Sequence, residues 1–229
     1  MYASETSKHR DVVAAYCTGY GLDIGFGGDP VTPASVRVDM RQPYAHTGAA
    51  PVQLGGDCRD LYWFQNDALD YVYSSHVLED FSESETEPVM REWTRVIRPS
   101  GSLILLLPDQ ARYVEHCKNT GQPHNFQHSV DHFSLEYVLG VAERIGNLNP
   151  AAQHPYLGEY SFAVVFTKTA ASSAASVDLA ELRAQLEVSR EKCLALSNER
   201  DELTQRLERI ERDRAYQLAS KARRILRRG

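Results

Sequence analysis

The segment Tyr20-Gly-Leu-Asp-Ile-Gly-Phe-Gly-Gly-Asp29 constrains this chain more than any other. An apolar strand runs through an acidic residue into clustered glycines, and such a turn builds a nucleotide-binding loop. Gly25, Gly27 and Gly28 carry no Cβ, so the chain can turn with positive φ and bring its backbone close to a ligand. A dinucleotide loop would read G-x-G-x-x-G and open a long helix whose positive end faces a pyrophosphate. Here the third glycine is missing and Pro30 and Pro33 follow, so any helix is short or starts late. A pyrophosphate would lose its helix.

The remaining strands arrive in the order of a βαβ chain. Val36-Arg-Val-Asp39 predicts a second strand ending in a carboxylate suited to ribose hydroxyls. Pro51 to Asp57 predicts a third, with Asp57 placed to accept from an adenine amino group. Leu69 to Ser75, Ser102 to Leu107 and Tyr160 to Lys168 predict a fourth, a fifth and a seventh, with a sixth near 149 to 156. Their continuous apolar runs suit a sheet buried on both faces. S-adenosylmethionine carries no phosphate but has a sulfonium and an ammonium, and Asp23 supplies a carboxylate at the first strand end to meet that charge.

The glycine motif at 23 to 28, the Asp39 and Asp57 carboxylates, Ser74-Ser-His-Val-Leu-Glu79 and Glu92-Trp-Thr-Arg-Val-Ile-Arg-Pro-Ser-Gly101 stand in one order. In that order they resemble the class I S-adenosylmethionine-dependent methyltransferase family, over about the first 168 residues. The resemblance implies an α/β fold with a Rossmann-like seven-stranded sheet and helices on both faces. It puts Gly25, Phe26 and Gly27 around the methionine moiety, Asp23 near its amino group and Asp39 on the ribose. Asp57 and Cys58 would lie by the adenine, and Ser74, Ser75 and His76 along the methionine edge. Two departures stand out. Family members usually have His where this chain has Asp80, and Gly-Gly where it has Ser100-Gly101. The span from Gly25 to Asp39 is also short, which truncates the first helix.

A hydroxyl acceptor must lose a proton as its oxygen is methylated, and a histidine or carboxylate within reach can take it. The segment after the fifth strand offers Asp109 and then His124, His128 and His132 at the carboxyl edge of the sheet, where ligands bind in open α/β folds. Within the resemblance, His128 before Phe133-Ser134 is the acceptor-side base, with His132 and Asp109 beside it. The four-residue spacing of the histidines could instead face a metal from a helix, but Pro123 and the missing apolar period argue against a rigid site. Tyr113, Tyr137, Phe126 and Trp63 could stack against an acceptor or simply fill core.

Composition changes after Lys168. Residues 169–177 read as a small-residue linker, and 178–229 lack glycine and proline until Gly229. There Leu179, Leu182, Leu186, Cys193, Leu196, Leu203, Leu207 and Ile210 follow a three-four spacing flanked by Glu and Arg, the pattern of a long coiled-coil helix that self-associates as a dimer or trimer. Its end interleaves Lys221, Arg223, Arg224, Arg227 and Arg228 with Leu218, Ile225 and Leu226, which suits an anionic membrane surface or an acidic partner. Residues 171–229 hold 13 basic against 10 acidic side chains, leaving 12 against 21 in the first 170. That acidic balance argues against a nucleic-acid substrate.

Cysteines 17, 58, 117 and 193 are scattered and no leader precedes them, which fits reduced thiols in the cytoplasm, with the basic tail at the inner face of a membrane. The expected activity is methyl transfer to an oxygen of a glycan or small-molecule acceptor. The His-Val-Leu-Glu and Glu-Trp-x-Arg-Val patterns look like those of surface polysaccharide assembly enzymes. Two alternatives remain at this level: a cofactor-binding scaffold organised by its coiled coil, and a small-molecule N- or O-methyltransferase.

Overall fold

The computed structural model describes residues 4–40 and 50–170. The chain divides into two compact units, Met1–Ser172 and Ser173–Gly229. The expected linker and coiled coil, with the basic tail, lie outside the described residues.

The strands are β1 (Gly21–Ile24), β2 (Val36–Asp39), β3 (Leu54–Gly55), β4 (Leu69–Ser75), β5 (Ile97–Pro108), β6 (Leu148–Leu157) and β7 (Ser161–Lys168). They form one seven-stranded sheet in the order β3-β2-β1-β4-β5-β7-β6. The strands β1 to β5 pair in parallel, and β7 runs antiparallel to both β5 and β6. The strands at 36–39 and 69–75 lie where their apolar runs predict them. The third is much shorter than its predicted span of 51–57, because Pro51 has no N–H to donate and the Gly55-Gly56 pair has no side chain to pack.

Helices α1 (Glu5–Val13), α2 (Glu83–Val96), α3 (Gln110–Thr120) and α4 (Leu135–Ile145) complete the described unit. In α2, Val89, Met90, Trp93 and Val96 share one buried face, and Ser82 and Glu85 cap its start reciprocally. That face and Val138 and Val141 of α4 pack against Leu22, Ile24, Val72, Leu103 and Leu105 of the sheet. Each fully buried aliphatic side chain contributes about 1.5–3 kcal/mol. On the opposite face Tyr71, Tyr73, Ile104 and Leu106 meet Val13 of α1, Cys17 and Val31.

No helix forms between β1 and β2. Proline at 30 and 33 withholds N–H donors there, and the loop is held by side chains instead. Asp29 accepts from Ser4, Ser7 and Arg10, which ties the loop to α1. The truncation expected from the short Gly25-to-Asp39 span is therefore complete, and α1 supplies the apolar cover on that side.

Lys168 ends β7 with its ammonium donating to Asp67 Oδ1 at 2.6 Å and to the carbonyls of Thr94 and Ile97 at 2.9 and 2.7 Å. It thereby satisfies carbonyl groups left over at the end of α2. Ser100, at the departure from the family's Gly-Gly, has φ 68°, a conformation that glycine adopts without strain.

Candidate functional site

A cavity of about 680 Å³ opens at the carboxyl ends of β1, β2, β3 and β4. Ligand sites in open α/β sheets occupy this edge, and volumes of this order are typical of small-molecule pockets. Gly25, Phe26 and Gly27 form its floor after β1, with Asp39 at the end of β2 and Asp57 and Cys58 after β3. Ser75 and His76 close it at β4, and Ser4, Glu5 and Thr6 of the N-terminal segment line it as well.

Most residues expected at the cofactor thus converge, each in a defined state. Gly25 has φ 67° and donates its N–H to Val38 O at 2.8 Å, and a Cβ there would collide with Val77 Cγ2. Asp39 accepts from the N–H groups of Gly27 at 3.3 Å and Met40 at 2.8 Å, so the second strand end and the glycine turn hold each other. Asp57 is bound by Arg59 through both carboxylate oxygens, which keeps its carboxyl below the usual range. Cys58 is no reactive thiol: burial, assisted by Asp57, pushes it up to about 12.

Two expected residues stand behind the wall rather than on it. Asp23 is fully buried, and its Oδ2 accepts from Val31 N–H at 2.6 Å. Its side chain leaves β1 on the face of Tyr73 and Cys17, opposite to Leu22 and Ile24, because successive strand residues point to opposite faces. Burial raises its carboxyl to about 7, only partly offset by the Val31 bond. Ser74, also fully buried, donates to Ile24 O at 3.1 Å and clamps β4 to β1. From behind the wall Asp23 holds the loop after the glycine turn and Ser74 holds β4 to β1.

The acceptor-side expectation changes more. Asp109 is the N-cap of α3, accepting from Arg112 N–H at 3.1 Å. The His132 side chain is 62% exposed and faces Glu83 at 3.9 Å. Neither lines the cavity. His128 is buried behind it, with Nδ1 2.7 Å from Gln110 Oε1, its ring packed on Tyr113, and Nε2 3.9 Å from Glu79 Oε1. The aromatic platform also breaks up, since Trp63 lies against Gly56 near β3 while Tyr113 joins His128 and Tyr160.

The histidine on the wall is His76. It has φ 53°, unusual for a residue with a side chain and a pattern that concentrates at functional sites. Its Nδ1 is 3.5 Å from Glu79 Oε1, and its Nε2 is 3.2 Å from Ser161 Oγ and 4.0 Å from Glu5 Oε2. Burial lowers its imidazole to about 4 despite the opposing charge of Glu5, so the ring is neutral at physiological pH. Glu79, 1% exposed, is driven the other way, well above the carboxylate range, by burial and then by Asp80. Two groups whose surroundings push their proton affinities apart mark a candidate acid–base site.

Sequence reading missed Glu5, Gln110, Tyr160 and Ser161, which come from segments remote from the glycine motif. Glu79 is visible in the sequence only as the last residue of the Ser74-Ser-His-Val-Leu-Glu79 motif.

Residues 22–105 match the family described as methyltransferase domain. The match runs from β1 into β5. No curated protein matches the chain. Among solved structures, a protein from Pyrococcus horikoshii aligns at 21% identity and TM-score 0.55, covering 71% of this chain and 88% of its own. A possible histamine N-methyltransferase from Thermotoga maritima aligns at 18% and 0.53, covering 72% and 89%. A Burkholderia thailandensis 1,6-didemethyltoxoflavin-N1-methyltransferase, with S-adenosylhomocysteine bound, aligns at 10% and 0.51, covering 72% and 78%. At these identities the three alignments establish a shared fold.

The cofactor of the methyltransferase domain is S-adenosylmethionine. The residues present fit it. A glycine turn that one Cβ would fill is followed by carboxylates at the second and third strand ends, as an adenosine with no phosphate requires.

Asp23→Ala removes the acceptor of a buried N–H, a loss of about 1–3 kcal/mol. We expect the melting temperature and the affinity for S-adenosylhomocysteine to fall together, and Asp23→Asn, which keeps a carbonyl for Val31, to restore most of both. Reduced affinity with unchanged melting would mean that Asp23 meets the ligand directly.

Proposed function

We propose that the methyltransferase domain methylates an oxygen of a glycan or small-molecule acceptor. The observation that carries this reading is the imidazole of His76 on the cavity wall, its Nδ1 3.5 Å from Glu79 Oε1. S-adenosylmethionine, when bound, supplies an electrophilic methyl carbon on a sulfonium. A hydroxyl forming the new carbon–oxygen bond sheds its proton, and an uncharged imidazole within reach accepts it. Glu79 orients the ring from Nδ1, and His128 lies beyond Glu79 as a further neutral ring, its own proton affinity lowered by burial.

An amine acceptor is the second reading, suggested by the N-methyltransferases among the fold relatives. From its heptad pattern, residues 178–229 serve in this proposal as a coiled coil joining two or three copies. Its basic end would meet an anionic membrane surface or an acidic partner, as suits surface polysaccharide assembly.

Incubation of the full chain with S-adenosylmethionine and panels of sugar, phenol and amine acceptors tests the chemistry, with S-adenosylhomocysteine formation as the readout. Hydroxyl acceptors are expected to turn over. His76→Asn, which tolerates the left-handed backbone, should slow them about 100- to 1,000-fold with cofactor affinity retained. Turnover confined to amines would overturn the oxygen assignment.

A further inference from the structure

The ammonium of the cofactor's methionine moiety needs an anionic partner, and Asp23, the sequence's candidate, is shut away beneath the loop with Val31. The cavity wall offers another carboxylate, delivered by α1. The cavity runs along the sheet edge from Asp57 after β3, past Asp39 and Gly25, to His76 after β4. Glu5 lies beyond that end, where it meets the start of β7: its Oε1 accepts from Tyr160 OH at 3.0 Å and its Oε2 from Ser161 Oγ at 3.3 Å. Adenine and amino acid leave the ribose in opposite directions. With the adenine at Asp57 and the ribose at Asp39, the amino-acid end falls on the side of Glu5.

The carboxylate is also chemically prepared. Lys8 Nζ sits 2.6 Å from Oε1, which with Tyr160 gives that oxygen two donors. Oε2 has Ser161, with His9 and His76 ring nitrogens farther off at 3.9 and 4.0 Å. A carboxylate oxygen accepts about two hydrogen bonds, so Oε2 has capacity for one more. Burial works against ionisation here, but the charge of His76 while it is protonated, together with Lys8 and Tyr160, outweighs it and holds the carboxyl below its ordinary range. Glu5 is fixed as well as charged. Its neighbour Ser4, with Ser7 and Arg10, is bonded to Asp29 of the loop after the glycine turn, and Thr6 Oγ1 meets Tyr73 OH at 3.0 Å.

Resting on S-adenosylmethionine as cofactor, we propose that Glu5 of the N-terminal helix is the residue that pairs with the ammonium of its methionine moiety. The site is then assembled from two remote pieces of chain, adenosine being held by the strand ends and the amino-acid end by α1.

Calorimetry on the full chain with two probes tests this. S-adenosylhomocysteine carries the ammonium, and 5′-methylthioadenosine lacks the whole amino-acid end. Glu5→Gln is expected to weaken the first about 10- to 100-fold, the range of one charge-assisted pair, and to leave the second within about twofold. Glu5→Asp, which keeps the charge on a shorter stem, should fall between. Unchanged S-adenosylhomocysteine affinity in Glu5→Gln would overturn the proposal. So would an equal loss of both probes, which would mean that Glu5 only shapes the wall. Failure of the wild-type chain to bind either probe would instead refute the cofactor itself.

Discussion

Gly25→Ala is expected to remove measurable S-adenosylhomocysteine binding at concentrations that saturate the wild-type chain, a loss of about 100-fold or more. Two costs combine. Alanine at φ 67° carries the left-handed penalty of about 1–2 kcal/mol, and its Cβ would run into Val77 Cγ2, an overpacking worth about 1–3 kcal/mol. The turn can relax only by moving its N–H off Val38 O or by shifting Val77, which follows His76 on the cavity wall. Because the clash involves one side chain, Gly25→Ala/Val77→Ala should recover part of the affinity, and the coupling in that double-mutant cycle measures the steric share. Calorimetry of the four proteins decides it. Wild-type affinity in the single Gly25→Ala variant would show that the turn does not approach the ligand.

Glu79→Gln is expected to make the protein more stable and a poorer enzyme. Burial raises the Glu79 carboxyl well above its ordinary value of 4.5, so the folded chain retains a proton that the unfolded chain releases. Stability from this group is therefore undiminished below about pH 4.5 and is lost as pH rises towards the folded value, at about 1.4 kcal/mol per pH unit. Glutamine does not titrate and has nearly the same shape, so its melting temperature should exceed that of the wild type by a margin that widens from pH 5 to pH 8. His76 acts in the opposite direction and in another window. Its lowered imidazole costs stability only as pH falls from about 6.5 towards 4, so it does not mask the alkaline effect. A constant difference between the two melting curves across that range would mean that Glu79 is ionised in the folded chain. Turnover should fall, since the amide cannot share a proton with His76.

Much of the cofactor side is legible in the chain. The β4 run from Leu69 to Ser75 is continuous and apolar, and the structure gives it those bounds. Asp39 and Asp57 end or follow short strands and reach the cavity because a parallel sheet collects its carboxyl ends on one edge. The acceptor side is less legible. His128 and His132 share a segment, but that segment is a string of turns, so one ring packs inward behind Glu79 and the other faces solvent. Asp109 reads as a free acid until α3 is seen to begin at the next residue and claim it as a cap.

The sequence by itself determined the strands, the glycine turn and the carboxylates at the strand ends, since apolar runs and turn residues act over a few neighbouring positions. Only the tertiary structure decided that Asp23 turns beneath the loop, that His76 rather than His128 faces the cavity, and that Glu5 arrives there from the N-terminal helix. Those outcomes depend on which face of β1 is covered and on which remote segments meet across the sheet edge. Packing of the whole unit sets both, and no local pattern encodes either.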